Sequence, residues 1–367
     1  MRGALIIAVA AAACGRDGAK PDGTSASASS APYCRRAGAV TALPAAGLAG
    51  AVGAAMRESS LRPLHTFSIV ARDPATGDLG VAVQSHWFAV GTLVTWAEPG
   101  VGAIATQSFV EPSYGPLGLA LMRDGVAAAD ALAKLVAGDA GRDVRQVAFV
   151  DAAGRVGVHT GAKCIEHAGH ATGDGYSVQA NMMGTDQVVR AMAGGFEAAK
   201  GDLADRMLAA LDAAQAAGGD IRGCQSAALV VVRGVRSERP WADRVFDLRV
   251  DDSPAPLPEL RRLLRLARAY AAMNAGDAAV EKGDMAAALA QYGAAADMTG
   301  GDTEMLYWQA VALAAHGEVE RSIPLFRRVF AADPRWIELT RRLHKPGIIP
   351  DNATGHALVE QILREAR

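Results

Sequence analysis

Residues 65–85 read HTFSIVARDPATGDLGVAVQS, two strand patterns around a turn. TFSIVAR (66–72) and LGVAVQS (79–85) are rich in aliphatic and β-branched side chains. Between them DPATGD (73–78) carries Asp-Pro and Thr-Gly-Asp turn signals. The stretch predicts a hairpin that opens a folded domain. It also puts one threonine, Thr66, at the very front of the first strand. That residue reads either as a good strand former or as a nucleophile.

Upstream the texture is different. Residues 15–60 are rich in Gly, Ala and Ser, with TSASASSAP at 24–32, and carry few large apolar side chains. Such a stretch buries too little surface to offset its ordering entropy, so residues 15–64 are expected to form a flexible tether. The first residues, MRGALIIAVAAAACG, combine Arg2 with an apolar run from Ala4 to Ala13 that is too short to span a bilayer. Small residues then lead to Cys14. The pattern resembles a lipoprotein signal over 1–14 with Cys14 as the lipidated residue, although Ala11 stands where leucine is usual. An ordinary secretory signal is the other reading. Both predict export to the periplasm or cell envelope, and the first adds a lipid anchor as the only membrane contact.

The chain has 367 residues, half of them hydrophobic, enough for two domains with sizeable cores. A net charge of −2 and the lack of any basic run argue against a nucleic-acid surface. Four cysteines occur: Cys14, Cys34, Cys164 and Cys224. Cys164 and Cys224 both fall in the folded part, and pairing between them is an open expectation. No C-x-x-C is present, so no cysteine zinc site is expected.

Downstream of the hairpin, strand patterns recur at TLVTWA (92–97), VGAIATQ (101–107), QVAFVD (146–151), RVGVHT (155–160), YSVQAN (176–181), SAALVVVR (226–233) and VFDLRV (245–250). Helical stretches are predicted around 115–137, 185–199 and 202–217. Adjacent hairpin strands with segregated helices predict an α+β domain over 65–250 with mainly antiparallel sheets. After the proline-rich DDSPAPLP (251–258) the chain reads entirely as helix to 367. Residues 269–300 overlay 303–334 at a spacing of 34 residues, matching Gly283 to Gly317, Ala288 to Ser322, Tyr292 to Phe326 and Ala295 to Val329. This resembles the tetratricopeptide repeat, with helix 258–270 and the tail at 354–367 expected as caps. An alanine-rich helical bundle is the alternative.

Several residues are candidates for chemistry. Gln107 and Ser108, followed by Ser113 and Tyr114, lie between a strand and a helix start, where backbone amides form an anion or oxyanion pocket; Ser113 as a simple N-cap is the competing reading. Asn181, Asp220, Arg222, Gln225 and Ser226 are expected at a cleft edge, although an Asp220–Arg222 pair also has a purely structural reading. His159, Cys164, His167 and His170 have no fixed ligand spacing, so no metal is assigned. No cofactor is called for.

TFSIVARDPATGDLGVAVQSHWFAVG, GVGAIATQSFVEPSYGPLGLALM, DAAGRVGVHTG and GGDIRGCQSAALVVVRG together resemble a bacterial domain-of-unknown-function family, number ten-twenty-eight, described as Ntn-hydrolase-like. The resemblance runs from Thr66 to Val250. It implies a four-layer αββα Ntn-hydrolase-like sandwich, here followed by the all-α tetratricopeptide-like domain over 251–367. Members often begin Met-Thr-Phe-Ser, which leaves a free N-terminal threonine; some carry a C-terminal region described as peptidoglycan-binding. This chain departs from the pattern in two ways. Thr66 is preceded by 65 residues, so its nitrogen is an amide unless the His65–Thr66 bond is cut. No lysine occurs between Lys20 and Lys134, so a lysine-tuned nucleophile is missing.

The expected function is an Ntn-type amidase or peptidase of the envelope. Thr66 would attack, its freed amine or His86 would accept the proton, and the Gln107 and Ser108 amides would hold the oxyanion. Ser85, Ser113, Tyr114, Asp220, Arg222, Gln225 and Ser226 are the expected ligand contacts. The alternative is a non-catalytic envelope lipoprotein that binds a ligand, a partner protein or peptidoglycan through the sandwich and residues 258–367. Assembly into a homo-oligomer is compatible with both.

Overall fold

A computed structural model describes Leu64 and residues 66–367. The signal at 1–14 with Cys14, Cys34, His65 and all of the 15–64 tether except Leu64 lie outside the described residues. The opening hairpin forms as its sequence dictates. β1 (Thr66–Arg72) pairs antiparallel with β2 (Leu79–Ser85), Thr66 opposite Ser85. The turn is locked by Asp73, whose Oδ1 accepts from the amides of Ala75 and Thr76, and by Gly77 at φ +77°.

The chain is α+β with two antiparallel sheets. The six-stranded sheet has the order β10-β9-β2-β1-β8-β7, and the four-stranded sheet the order β3-β4-β5-β6. Here β3 is Thr95–Glu98, β4 Gly102–Ser108, β5 Arg145–Asp151, β6 Val156–Thr160, β7 Gly169–Gly173, β8 Tyr176–Ala180, β9 Ser226–Val232 and β10 Arg244–Val250. Alternation along each strand assigns its two faces. On β1, Phe67, Ile69 and Ala71 join an apolar cluster with the helices α4 (Val188–Ala198) and α5 (Leu203–Ala216). Val70 on the opposite face joins Val81, Val83, Ala103, Ala105, Ala148, Val150 and Val230, which fill the space between the two sheets. A third cluster seats α2 (Tyr114–Arg123) and α3 (Ala128–Gly138) on the far face of the four-stranded sheet. The packing order is therefore helices, sheet, sheet, helices.

Three local readings change in three dimensions. TLVTWA is one helical turn, α1 (Gly91–Val94), followed by the short β3, because the chain here crosses between sheets. Gly91 allows the crossing, since a Cβ there would lie 2.5 Å from that of Ala228. The helical stretch 115–137 breaks at Gly125, φ +88°, into α2 and α3. GHATG forms the edge strand β7, which lacks any large apolar residue to announce it.

Beyond β10 only helices follow. α6 (Pro256–Glu281) is longer than the 258–270 helix expected, because the linker side of the first repeat continues it without a break. Leu257, Leu260 and Leu264 of α6 belong to the core under α5, whereas Ala269, Ala272 and Met273 pack with α7 (Met285–Thr299). Next come α8 (Thr303–Ala315), α9 (Val319–Ala332), α10 (Arg335–Arg341) and α11 (Ala353–Glu365). Gly283 and Gly317, matched by the 34-residue spacing, both sit in left-handed turns between helices. Their matched partners Ala288 and Ser322, Tyr292 and Phe326, and Ala295 and Val329 are all buried. Tyr307 anchors the second pair of helices against Phe326 and Trp336, with its hydroxyl beside Thr340. Among the described residues no helix is long and apolar enough to cross a membrane.

Candidate active site

The inter-sheet layer changes character along its length. Toward Arg72 it is aliphatic; toward Thr66 it is polar and uncharged. On the same faces that carry Val70, Val81 and Ala103 farther along, the Thr66 end carries Thr66, Ser68, Ser85, Gln107, Gln146 and Gln179, and Ser177 stands opposite Val70, all buried. A buried polar layer is tolerated only when its groups find one another. Most do. Thr66 Oγ1 donates to Ser85 Oγ at 3.2 Å. The Thr66 carbonyl accepts from the Asn181 backbone N–H at 3.2 Å and from Gln107 Nε2 at 3.1 Å. Gln107 Nε2 also donates to Gln146 Oε1 at 2.7 Å, while Gln107 Oε1 accepts from Ser68 Oγ at 2.6 Å. Gln179 Nε2 donates to Ser68, and Gln146 Nε2 reaches Ala180 O and Gly169 O. Asn181 Nδ2 donates to Gln146 Oε1 at 3.0 Å, and its Oδ1 is buried with no partner among the described residues.

Backbone strain gathers at this end too. Ala89, Ser108, His167 and Met182 have φ between +50° and +67° without being glycine. They follow β2, end β4, precede β7 and follow β8, and the register puts all four at the Thr66 end of the sandwich. Such conformations cost about 1–3 kcal/mol each and concentrate where a site is held in shape.

The structure unites part of the expected constellation and disperses the rest. Thr66, Ser85, Gln107 and Asn181 share one hydrogen-bonded network. Ser108 lies beside it, but its N–H donates to Leu64 O at 3.1 Å, and its hydroxyl lies against the Cys164 thiol. The His86 ring is not brought to Thr66: it lies beside Gly223, and its backbone N–H donates to Asp220 Oδ2 at 3.0 Å. Asp220 is buried and also accepts from Arg222 through its backbone N–H at 2.9 Å, Nε at 3.2 Å and a terminal guanidinium nitrogen at 2.9 Å, so this pair ties the turn after β2 to the loop before β9. Ser226 joins that buttress, its hydroxyl bridging Trp87 O and the Val90 N–H, while Gln225 caps Ser85 O through its backbone. These residues form the rim of the Thr66 end, held mainly by one another.

Ser113 and Tyr114 sit elsewhere, in a cleft of about 350 Å³ between α2 and α3 with Glu111, Lys134 and Asp139. Ser113 occupies the N-cap position but makes no capping bond. The Tyr114 hydroxyl donates to Asp139 Oδ2 at 3.1 Å, and Arg145 Nε donates to the same oxygen at 2.9 Å. Burial by itself raises the Asp139 carboxyl, but the bonds from Arg145, the Gly141 N–H and Tyr114 outweigh it and hold the pKa below the usual range. A depressed folded value stabilises the fold above the ordinary Asp value near ~4, and that stabilisation is lost as pH falls through the folded value. Asp139→Asn is therefore expected to lower the melting temperature at neutral pH and to match the parent in strong acid. A gap that stays constant through the acid range would exclude the charge as its source.

Cys164 and Cys224 are free thiols, each tied to a neighbour: Cys164 Sγ to Arg145 O and Cys224 Sγ to Gln215 Oε1. The pairing that the sequence left open is not made. His159 and His170 are engaged with Arg142 O and Thr160 Oγ1. Among the described residues no group of three or more His, Cys, Asp or Glu side chains is arranged to hold a metal ion. Sequence reasoning missed Ser68, Gln146 and Gln179. Each is a polar residue flanked by apolar ones on its strand, a signal visible only once neighbouring strands are placed in register.

Three comparisons bear on this arrangement. A family model described as a family of unknown function, DUF1028, matches residues 66–260. The crystal structure of a DUF1028-family protein from Silicibacter pomeroyi is similar at 32% sequence identity, covering 55% of this chain and 88% of that one, with a TM-score of 0.49. No curated protein matches the chain.

Proposed function

The chain belongs to the DUF1028 family, and we propose that its sandwich is an Ntn-type amide hydrolase carried as a precursor, with Thr66 as the nucleophile released by cutting the His65–Thr66 bond. The observation that carries this reading is the place of Thr66. It heads a central strand, its hydroxyl bonded to Ser85, inside a buried polar layer with no charged side chain. Cleavage would turn the Thr66 amide into an α-amine. That amine takes the hydroxyl proton as Oγ1 attacks a carbonyl, then returns it to the leaving amine; water hydrolyses the resulting ester. The unpartnered Asn181 Oδ1 is an acceptor suited to orient the amine, whereas Gln107 Nε2 and Asn181 Nδ2 spend their hydrogens on the Thr66 carbonyl and Gln146 Oε1 and would serve an oxyanion only by releasing one of those bonds. This assignment replaces the backbone amides of the sequence reading with side-chain amides and, of its two proton acceptors, keeps the α-amine and drops His86.

The remaining parts of the reading follow from sequence. The sandwich is taken as an Ntn-type αββα fold, the helices after 256 as tetratricopeptide-like and a surface for a protein or peptidoglycan partner, and the leader as a lipoprotein signal that exports the chain. A second reading, a non-catalytic ligand-binding lipoprotein, is favoured by one fact: Thr66 is fully buried in the uncut chain. Intact mass and N-terminal sequencing of protein from the native envelope separate the two. A terminus at Thr66 is expected; a uniformly uncut chain sinks the hydrolase.

A further inference from the structure

Leu64, two residues before Thr66, is paired to β4 by an isolated antiparallel bridge. β3 begins at Thr95, opposite Ala105, so β4 from Thr106 to Ser108 has no strand of the sheet on this side. Leu64 fills the vacancy at Ser108. Its N–H donates to Ser108 O at 2.6 Å, and its carbonyl accepts from Ser108 N–H at 3.1 Å. The Leu64 side chain is wholly buried, in the same apolar cluster as Val83, Val90 and Val94. Leu64 stands on the acyl side of the His65–Thr66 bond, one residue before the one whose carbonyl Thr66 would attack.

We propose that the β4 edge at Ser108, with the apolar pocket that Leu64 fills, is the acyl-side substrate subsite, and that the substrates are extended peptides with a large aliphatic residue one position before the attacked carbonyl. This rests on the reading of Thr66 as a nucleophile. Departure of the leader would strip Ser108 of both backbone partners and leave an aliphatic void. A peptide laid along β4 restores both bonds and refills the void, which is strand addition with one specificity pocket. Leu64 packs in a cluster of buried aliphatic side chains such as Val83, Val90 and Val94, so Asp or Lys at that position would be buried among them and rejected.

Hydrogen exchange on the full chain tests the subsite without requiring turnover. Leu64→Asp is expected to speed exchange of the Ser108 amide by about tenfold or more, since its protection then reflects local opening. Exchange in Val147–Val150 serves as the folding control and stays slow. Acetyl-Arg-Pro-Leu-His, the sequence of residues 62–65, is expected to slow Ser108 exchange again in the Leu64→Asp protein, and acetyl-Arg-Pro-Asp-His is not. Unchanged exchange in Leu64→Asp, or equal protection by the two peptides, overturns the subsite. Leu64→Met, which keeps an apolar side chain, is expected to retain the wild-type protection; loss there as in Leu64→Asp also overturns it. The nucleophile reading fails in a separate measurement, N-terminal sequencing that finds the bond uncut.

Discussion

Thr66→Ala is expected to leave the His65–Thr66 bond intact and to abolish amide hydrolysis, a loss of at least about a thousandfold if the hydroxyl is the nucleophile. The substitution removes one hydrogen bond, to Ser85, and a single neutral bond contributes only about 0.5–1.5 kcal/mol net. Ser85 has a further partner, so it is not stranded. The variant should therefore fold, with a melting temperature within a few degrees of the parent, and the loss would be chemical. Thr66→Ser keeps the hydroxyl and is expected to be processed and active at a reduced rate. Mass spectrometry of the two variants, purified in parallel, reads processing directly. If Thr66→Ala is cut as efficiently as the parent, the chain does not process itself; if it also hydrolyses amides, Thr66 is not the nucleophile.

Gln107→Met is expected to destabilise the sandwich strongly, although it swaps one long side chain for another of similar volume. Gln107 accepts from Ser68 and donates to the Thr66 carbonyl and to Gln146. Methionine removes three hydrogen bonds between two sheets, although Asn181 still reaches the Thr66 carbonyl and Gln146 Oε1, and Gln179 Nε2 still reaches Ser68, so none of these groups is stranded. At about 0.5–1.5 kcal/mol per bond the total is about 2–4 kcal/mol, a fall of about 10 °C in Tm for a domain of this size. Thermal unfolding checks it. A loss under about 1 kcal/mol would mean that water reaches the layer and substitutes for the amide, making the site wet in the uncut chain. The same variant would also fail to process, because Gln107 holds the Thr66 carbonyl that positions the nucleophile.

Much of the architecture was legible because it is local. TFSIVAR and LGVAVQS alternate and are joined by a turn whose Asp and Gly have specific backbone duties, so the hairpin formed where it was expected. The helical character of residues after 256, and the 34-residue match of Gly283 with Gly317, follow from period and turn chemistry within short windows. GHATG did not announce itself because edge strands need no large apolar residues. The split of 115–137 was signalled only by Asp124-Gly125, which the alanine-rich background blurred.

The candidate site was legible only in part, for the same reason. Thr66 was identifiable from its position at the head of a strand, and Ser85, Gln107 and Asn181 from polar residues at strand ends. Their convergence, and the separation of Ser113 and Tyr114 on the other side of β4, depend on which strands pair and which faces meet. Sequence by itself determined the strands, the terminal helices and the suspicion that falls on Thr66, because propensity, alternation and turn residues act over a few positions. Tertiary structure alone decided that Ser68, Gln146 and Gln179 complete a buried polar layer and that Leu64 is pinned to Ser108. Those facts are set by register between residues dozens of positions apart, where a shift of one residue would turn every side chain to the opposite face.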